Sequence, residues 1–356
     1  MKIGLVGLQN SGKTTIFNAL TRSEARVAAY SEAGVGPNLA VLDVPDSRVD
    51  RLAEIYRPEK TVYAALELVD FGGLTEGAAK SELFSGAAMA QIRNMDALAH
   101  VVRNFPDGSG AEPTPLQDIQ KLDEEFLLSD LVVAEGRLER IEQGYRRGQK
   151  SNALLREEKI LRKVQAHLAG DEPLRTLDLD RDEEKVIRGF QFLTRKPMMV
   201  ILNSSESGFG KNGDLLEEIE DSYKVVEFAG HFEMELSRLE DEEEIRLFME
   251  DMGIEVSVRD RLCRAAYELL GYISFFTVGK DEVRAWNIRK GGTALEAAGI
   301  IHSDLARGFI RAECFSYQDL IECGSEKEVR SRGLLRLEGR TYRVKDGDIL
   351  NIRFNV

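Results

Sequence analysis

Short apolar runs alternate with helical patterns over the first 110 residues. The runs predict strands at 2–6, at 64–69 and within 95–105. An amphipathic helix opens at Lys13, between the first two runs. This alternation is typical of parallel strands with crossover helices. A further apolar run at Met198–Leu202 resumes the pattern, so we expect one α/β domain that is interrupted by an insertion.

The interruption has the periodicity of two long helices. Between Leu116 and about Leu168 there is almost no proline and little glycine, and apolar residues recur at helical spacing on either side of a break at 144–150. The pattern predicts two amphipathic helices that form a helical hairpin. We place this insertion at residues 116–195.

The final part of the chain changes character again. Its short strand patterns lie at 275–278, 311–315, 334–337, 342–344 and 349–354. Asp346-Gly347-Asp348 supplies a turn between the last two patterns. We therefore expect a small β-rich module with a helix at 273–356, and a first domain made of residues 1–115 and 196–272.

Composition narrows the class of protein. The 356 residues include 48 Lys and Arg against 62 Asp and Glu, a formal charge of −14, and 43% are apolar, as in globular proteins. Three cysteines are too few for a disulfide framework and favour a reducing compartment. The sequence has neither a signal-peptide pattern nor the roughly 20-residue apolar run of a membrane span. We expect a cytoplasmic protein with no membrane partner.

Residues 7–14, GLQNSGKT, match the phosphate-binding loop G-x-x-x-x-G-K-[ST] at every fixed position. The motif follows a predicted strand and precedes a predicted helix, which is the context that its mechanism needs. Lys13 would bridge the β- and γ-phosphates, and the Thr14 hydroxyl would ligate Mg²⁺. The residues expected to hold the phosphates are Gly7, Asn10, Ser11, Gly12, Lys13, Thr14 and Thr15.

A second motif, Asp70-Phe71-Gly72-Gly73, follows the strand predicted at 64–69. A strand that ends in aspartate usually supplies the second Mg²⁺ element of such enzymes, and the Gly73 N–H would contact the γ-phosphate. Leu74 then stands where many GTPases carry a glutamine that positions water. A hydrophobic side chain cannot orient water, so hydrolysis must recruit another group or be slow.

Asn203-Ser204-Ser205-Glu206 ends the strand predicted at 198–202. GTPases carry N-K-x-D here, and its short carboxylate accepts from N1–H and the 2-amino group of guanine. Glu206 is one methylene longer, and Ser204 replaces the lysine that flanks the base. Strong guanine selectivity depends on well-paired polar groups, so we do not expect it here.

These motifs, with the helical insertion and the β-rich module, resemble the YchF subfamily of Obg-like P-loop ATPases and GTPases (TRAFAC class). The resemblance runs the whole length. It is densest in VGKDEVRAWN (278–287), AGIIHSDLARGFIRA (298–312) and DGDILNIRFNV (346–356). It implies a P-loop NTPase fold, with a mostly parallel doubly wound sheet, an inserted α-helical hairpin and a C-terminal ubiquitin-like α+β TGS domain.

The resemblance also implies a function. The family consists of cytoplasmic nucleotide hydrolases that prefer ATP to GTP and associate with ribosomes. Its base contacts map to Asn203, Ser204 and Glu206, and its metal contact maps to Thr14. TGS domains contact RNA or regulatory partners.

The sequence departs from the family pattern at both switch segments. Gly34 stands at the switch I threonine position, and the segment KSELFSG (80–86) has lost most of its glycines. Nucleotide binding tolerates such changes better than turnover does. Three hypotheses follow: an ATPase that acts at the ribosome, a nucleotide-gated RNA- or ribosome-binding protein with little turnover, and an adaptor without nucleotide. The intact phosphate loop argues against the adaptor.

Two regions are basic although the whole chain is acidic. Residues 137–163 carry nine basic against four acidic side chains, and residues 273–356 carry fourteen against twelve. The first region fits a solvated hairpin with i,i+4 ion pairs. It equally fits an RNA contact near Arg146, Arg147 and Lys150. We therefore expect RNA or the ribosome to bind the hairpin and the C-terminal module, and we favour a monomer.

Overall fold

A computed structural model describes residues 1–22, 26–27, 38–71, 87–106, 108, 110–239 and 241–355. The chain divides into two units. The first comprises Met1–Val41 and Glu67–Val258, and the second comprises Leu42–Leu66 and Arg259–Val356. Residues 42–66 thus belong with the C-terminal part of the chain.

Strands and helices alternate through the described residues. The strands are β1 (Lys2–Val6), β2 (Arg26–Val27), β3 (Asn38–Val44), β4 (Lys60–Val62), β5 (Ala64–Asp70), β6 (Ala97–Asn104), β7 (Met198–Ser204), β8 (Lys224–Phe228), β9 (Tyr272–Thr277), β10 (Glu282–Arg289), β11 (Phe309–Ser316), β12 (Arg336–Glu338) and β13 (Asp348–Phe354). The α-helices are α1 (Lys13–Arg22), α2 (Ser47–Tyr56), α3 (Ala87–Arg93), α4 (Pro115–Arg146), α5 (Asn152–Leu168), α6 (Arg181–Ile187), α7 (Gly213–Glu220), α8 (Gly230–Leu236), α9 (Glu242–Asp251), α10 (Val258–Leu270), α11 (Ala294–Ile301), α12 (Ser303–Arg307), α13 (Tyr317–Cys323) and α14 (Glu326–Ser331). No helix among the described residues combines the length and the apolar character that crossing a membrane requires.

The first sheet has the strand order β2-β3-β5-β1-β6-β7-β8. Strand β1 pairs in parallel with β5 and β6, and β7 continues the parallel pairing from β6 to β8. The carboxyl ends of these strands therefore share one edge, and the strand order changes direction at β1. Such a topological switch point is where open α/β sheets bind ligands.

The insertion is the predicted helical hairpin. Helix α4 ends at Arg146 and α5 begins at Asn152, so the break lies where the sequence places it. The two helices bury apolar side chains against each other, among them Leu138 and Ile141 of α4 and Leu161 of α5. This shared core holds the pair together, because burial of each such side chain contributes about 1.5–3 kcal/mol.

The second unit contains a mixed sheet with the strand order β12-β11-β13-β9-β10-β4. Its apolar core packs Phe275 of β9 and Ile288 of β10 against Ala297 and Ala298 of α11. The outermost strand, β4, comes from residues 42–66 and pairs in parallel with β10. The predicted mixed α+β class of this module is confirmed, and strands β9, β11, β12 and β13 cover most of the predicted strand positions.

The strand predicted at 342–344 is wrong. Arg343 makes only an isolated bridge with Thr293. The buried Asp348 carboxylate accepts from the Tyr342 hydroxyl and the Lys345 N–H, both at 2.8 Å. These hydrogen bonds favour a turn, so residues 342–344 do not continue into a paired β-strand.

Candidate nucleotide-binding site

The phosphate loop connects β1 to α1 through backbone conformations that few side chains allow. Asn10 and Gly12 have left-handed φ values of 63° and 87°, and turns of this kind direct successive N–H groups into an anion-binding concavity. A Cβ on Gly7 would lie 2.4 Å from the Val101 carbonyl oxygen, and a Cβ on Gly12 would lie 2.2 Å from Asn203 Nδ2. Both fixed glycines of the motif are therefore required by space.

Lys13 is buried at the first position of α1, with 5% of the residue exposed. Its Nζ donates to the carbonyl oxygens of Gly7 at 2.9 Å and Leu8 at 3.1 Å. Burial lowers the pKa of this amine, and the nearby Asp70 carboxylate opposes that shift. The loop thus holds an ammonium group inside its own curve, where phosphate oxygens would compete with the two carbonyls.

Thr14 and Asp70 lie next to each other at the carboxyl edge of the sheet. The Thr14 hydroxyl is 3.4 Å from Asp70 Oδ2, while the buried Asp70 Oδ1 has no hydrogen-bond partner among the described residues. Burial raises the pKa of the Asp70 carboxyl, and Asn38, Lys13 and Thr14 oppose the shift. A hydroxyl beside a carboxylate with an unused buried oxygen fits Mg²⁺, which prefers oxygen ligands.

Asn203 joins the phosphate loop to the segment after β8. Its Nδ2 donates to the Ser11 carbonyl oxygen at 3.1 Å, and its Oδ1 accepts from the Gly230 N–H at 3.1 Å. A Cβ on Gly230 would lie 2.5 Å from the same Oδ1. Asn203 is buried, with 3% of the residue exposed. Both ends of its side-chain amide are hydrogen-bonded to the protein.

The next two predicted base contacts point in different directions. The buried Ser204 hydroxyl donates to Glu227 Oε1 at 2.6 Å and accepts from Asn104 Nδ2 at 3.0 Å. Glu206 is exposed, and its Oε1 lies 3.1 Å from His231 Nδ1. Glu206 is therefore the accessible carboxylate of the N-x-x-E motif.

Sequence comparisons place this site in a known family. Residues 2–135 match the family model described as 50S ribosome-binding GTPase, and residues 272–355 match YchF-GTPase_C, described as a protein of unknown function. The chain is 40% identical to the Ribosome-binding ATPase YchF of Pasteurella multocida (strain Pm70), with coverage of 100% of this chain and 99% of the relative. The chain belongs to the YchF family. The Bacillus subtilis (strain 168) member is 37% identical, over 99% of both chains.

Fold comparison agrees with the family assignment. The YchF GTPase of Schizosaccharomyces pombe superimposes with a TM-score of 0.84 at 32% identity, and the match covers 99% of this chain and 97% of that one. The predicted YchF resemblance and fold class are both confirmed.

The YchF-family site thus gathers most of the predicted residues. Lys13, Thr14 and Asp70 meet at the ends of β1 and β5, and Asn203 contacts the phosphate loop directly. Gly73, with Leu74, Gly34 and residues 80–86, lies outside the described residues. The roles assigned to the site residues stay predictions.

Two histidines lie near the site that the sequence analysis did not predict to be there. His231 contacts Glu206. His100 of β6 is fully buried, and its pKa is lowered by burial and by the Lys13 charge. Neither histidine belongs to a nucleotide-binding motif. The signals for His100 were its place inside an apolar strand and the family-like sequence AHVVR at 99–103.

Proposed function

We propose that this protein binds ATP at its phosphate loop and hydrolyses it with Mg²⁺, with GTP as a poorer substrate. The observation that carries this proposal is the meeting of Lys13, Thr14 and Asp70 at one edge of the parallel sheet. The P. multocida and B. subtilis relatives bear the name of a ribosome-binding ATPase, which supports the same activity.

The phosphate loop would supply most of the catalytic stabilisation. Phosphoryl transfer requires positioning and neutralisation of charge more than covalent chemistry from the protein. Lys13 Nζ, now bonded to two loop carbonyls, would exchange them for β- and γ-phosphate oxygens. Thr14 and Asp70 would hold Mg²⁺, which when bound neutralises charge on the same phosphates. The Gly73 N–H is proposed as a γ-phosphate contact.

The base would lie beside the N-x-x-E motif. Asn203 would set the distance between the base side and the phosphate side, because it bonds to Ser11 and Gly230. The Ser204 hydroxyl is engaged by Glu227 and Asn104, so its part would be to fix the end of β7. Glu206 would read the base, with a register that fits guanine poorly.

An alternative function is nucleotide-gated binding to RNA or the ribosome with little or no turnover. Leu74 replaces the water-positioning glutamine, and Gly34 removes the switch I hydroxyl. These are losses of catalytic groups and not of binding groups. They favour a slow enzyme or a switch that responds to nucleotide occupancy.

We place this activity in the cytoplasm and at the ribosome. The relatives named as ribosome-binding ATPases match over their whole length. The candidate contacts are the exposed Arg146, Arg147 and Lys150 at the hairpin tip and the mildly basic C-terminal module.

Calorimetric titration with ATP and with GTP, each with and without Mg²⁺, followed by measurement of phosphate release, tests the proposal. We expect tighter Mg²⁺-dependent binding of ATP than of GTP, and phosphate release from ATP. Binding without release would favour the nucleotide-gated alternative. No binding of either nucleotide would contradict both.

A further inference from the structure

His231 lies beside the predicted base-reading carboxylate. It is the second residue of α8, and the residue before it, Gly230, donates its N–H to Asn203 Oδ1 at 3.1 Å. This bond brings the start of α8 to the end of β7. There His231 Nδ1 lies 3.1 Å from Glu206 Oε1. Since an ionised carboxylate only accepts hydrogen bonds, the facing ring nitrogen is the donor.

A second carboxylate lies near the other nitrogen of the ring, beyond hydrogen-bond distance. Glu235, one turn further along α8, has its Oε1 3.9 Å from His231 Nε2. The imidazole therefore has one carboxylate facing each nitrogen. Among the described residues, His231 is the one side chain within hydrogen-bond distance of the Glu206 carboxylate. The position of the Glu206 carboxylate thus depends on His231.

This pairing changes what Glu206 offers to a base. A carboxylate that selects guanine needs both oxygens, because it accepts from N1–H and from the 2-amino group together. His231 Nδ1 occupies one acceptor site of Oε1 and fixes the direction of that oxygen, so Oε2 is the oxygen that stays fully open to a ligand. Adenine presents a single amino donor at N6, which one oxygen can satisfy. Guanine would leave one of its two donors without that partner, and an unpaired donor weakens binding.

We propose that His231 is a positioning residue for base selection, which holds one oxygen of Glu206 and thereby lowers the affinity of the site for GTP relative to ATP. This inference rests on the proposed function and adds the group that sets its base preference. The pair is exposed, with 66% of the His231 side chain and 48% of the Glu206 side chain accessible. Substitution at His231 should therefore leave folding intact.

The test is the ratio of the GTP and ATP dissociation constants, measured by calorimetry on the full chain with Mg²⁺. In His231→Ala we expect the ratio of Kd for GTP to Kd for ATP to fall about twofold to fivefold, the upper part of what an exposed pair of side chains contributes. The fall should come mainly from tighter GTP binding. The thermal unfolding midpoint should not change.

Two further variants separate positioning from a structural effect. His231→Asn keeps a side-chain N–H near the position of Nδ1, and it should restore a ratio close to that of the wild type. Glu235→Gln keeps the His231–Glu206 pair and should also stay close to the wild type. Both therefore serve as controls for His231→Ala.

The outcomes distinguish this inference from the proposed function. An unchanged ratio in His231→Ala, with ATP binding as in the wild type, would overturn the role of His231 and leave the ATPase proposal standing. If wild-type protein binds no ATP, or binds it equally well after Lys13→Ala, the proposed function itself fails.

Discussion

Asn203 Nδ2 donates to the backbone carbonyl of Ser11 at 3.1 Å, across 192 residues of sequence. The other end of the same amide accepts from the Gly230 N–H. One buried side chain thus connects the phosphate loop with both segments that flank the predicted base position. A substitution in the phosphate loop should therefore affect the base position, and a substitution near the base position should affect the phosphate loop.

Gly12→Ala should lower the affinity for ATP at least tenfold. A left-handed backbone costs a residue with a Cβ about 1–2 kcal/mol, and the new Cβ would lie 2.2 Å from Asn203 Nδ2. The phosphate loop and Asn203 must then separate. Calorimetric titration with ATP measures the loss. Gly213→Ala is the matched control, because nothing lies within 4 Å of its added Cβ, and it should bind ATP normally.

Asp130→Ala should destabilise the protein by about 3–5 kcal/mol, the usual cost of breaking a buried ion pair. The fully buried Asp130 carboxylate of α4 accepts from Arg93 Nη1 of α3 at 2.9 Å. It also accepts from the Leu193 and Thr194 N–H groups at 3.0 and 2.8 Å. Denaturant unfolding measures the change.

The control for Asp130 is an ion pair at the surface. Lys185→Ala removes the exposed partner of Asp182 and should cost no more than about 0.5 kcal/mol. Equal effects of the two substitutions would show that the Arg93–Asp130 pair does not hold α3 to the hairpin.

His100 should make stability depend on pH. Burial, and secondarily the Lys13 charge, lowers the pKa of this imidazole to about 3, against about 6.5 for an unfolded histidine. Between these two pH values, the histidine is protonated in the unfolded chain and neutral in the folded chain. The contribution of the neutral imidazole to the free energy of unfolding is therefore complete above about pH 6.5, and it is lost as the pH falls towards about 3.

His100→Leu should remove this dependence. Between pH 7.5 and pH 5.5, the wild type should lose about 1.4 kcal/mol more unfolding free energy than the variant does. Leucine should also be tolerated, since neither ring nitrogen has a hydrogen-bond partner among the described residues. Denaturant unfolding of both proteins at each pH measures the two losses. Equal losses of unfolding free energy in the wild type and in His100→Leu would argue against a neutral buried imidazole.

Charge reversal at the hairpin tip should weaken ribosome binding and reduce its dependence on salt. Arg146, Arg147 and Lys150 are exposed, whereas Arg137 and Arg162 are paired with glutamates. Replacing the three tip residues with Glu should lower the slope of log affinity against log salt by up to about 3, if each contacts one phosphate. Co-sedimentation with ribosomes at several salt concentrations measures the slope.

The control for the tip reverses three other exposed basic residues, Arg181, Lys185 and Arg188. This variant has the same net charge as the tip variant, so it isolates position from overall charge. A salt slope that falls equally in both variants would mean that the tip is not a specific contact.

The strongest local signals in the sequence predicted the core of the site. A phosphate loop requires glycines and a lysine at fixed spacing, and each parallel strand ends at the same edge, so Lys13, Thr14 and Asp70 could be brought together without a structure. The long amphipathic helices were equally clear, because helical periodicity over many residues leaves few alternatives.

Contacts between distant segments could not be predicted. Strand β4 has only three residues, and nothing in Lys60–Val62 indicates that it pairs with β10, more than 200 residues later in the sequence. The Arg93–Asp130 and Glu206–His231 pairs join residues on different elements. The strand predicted at 342–344 failed for a local reason, since the Asp348 carboxylate accepts from Tyr342 and Lys345, only six and three residues before it.

The most direct test of the central claim is the rate of phosphate release from ATP and from GTP, with Mg²⁺, by the wild type and by Lys13→Ala. An exposed lysine variant, Lys290→Ala, is the matched control. We predict release from ATP that exceeds release from GTP, a loss of about a hundredfold or more in Lys13→Ala, and wild-type rates in Lys290→Ala. ATP hydrolysis that is unchanged in Lys13→Ala would contradict the account.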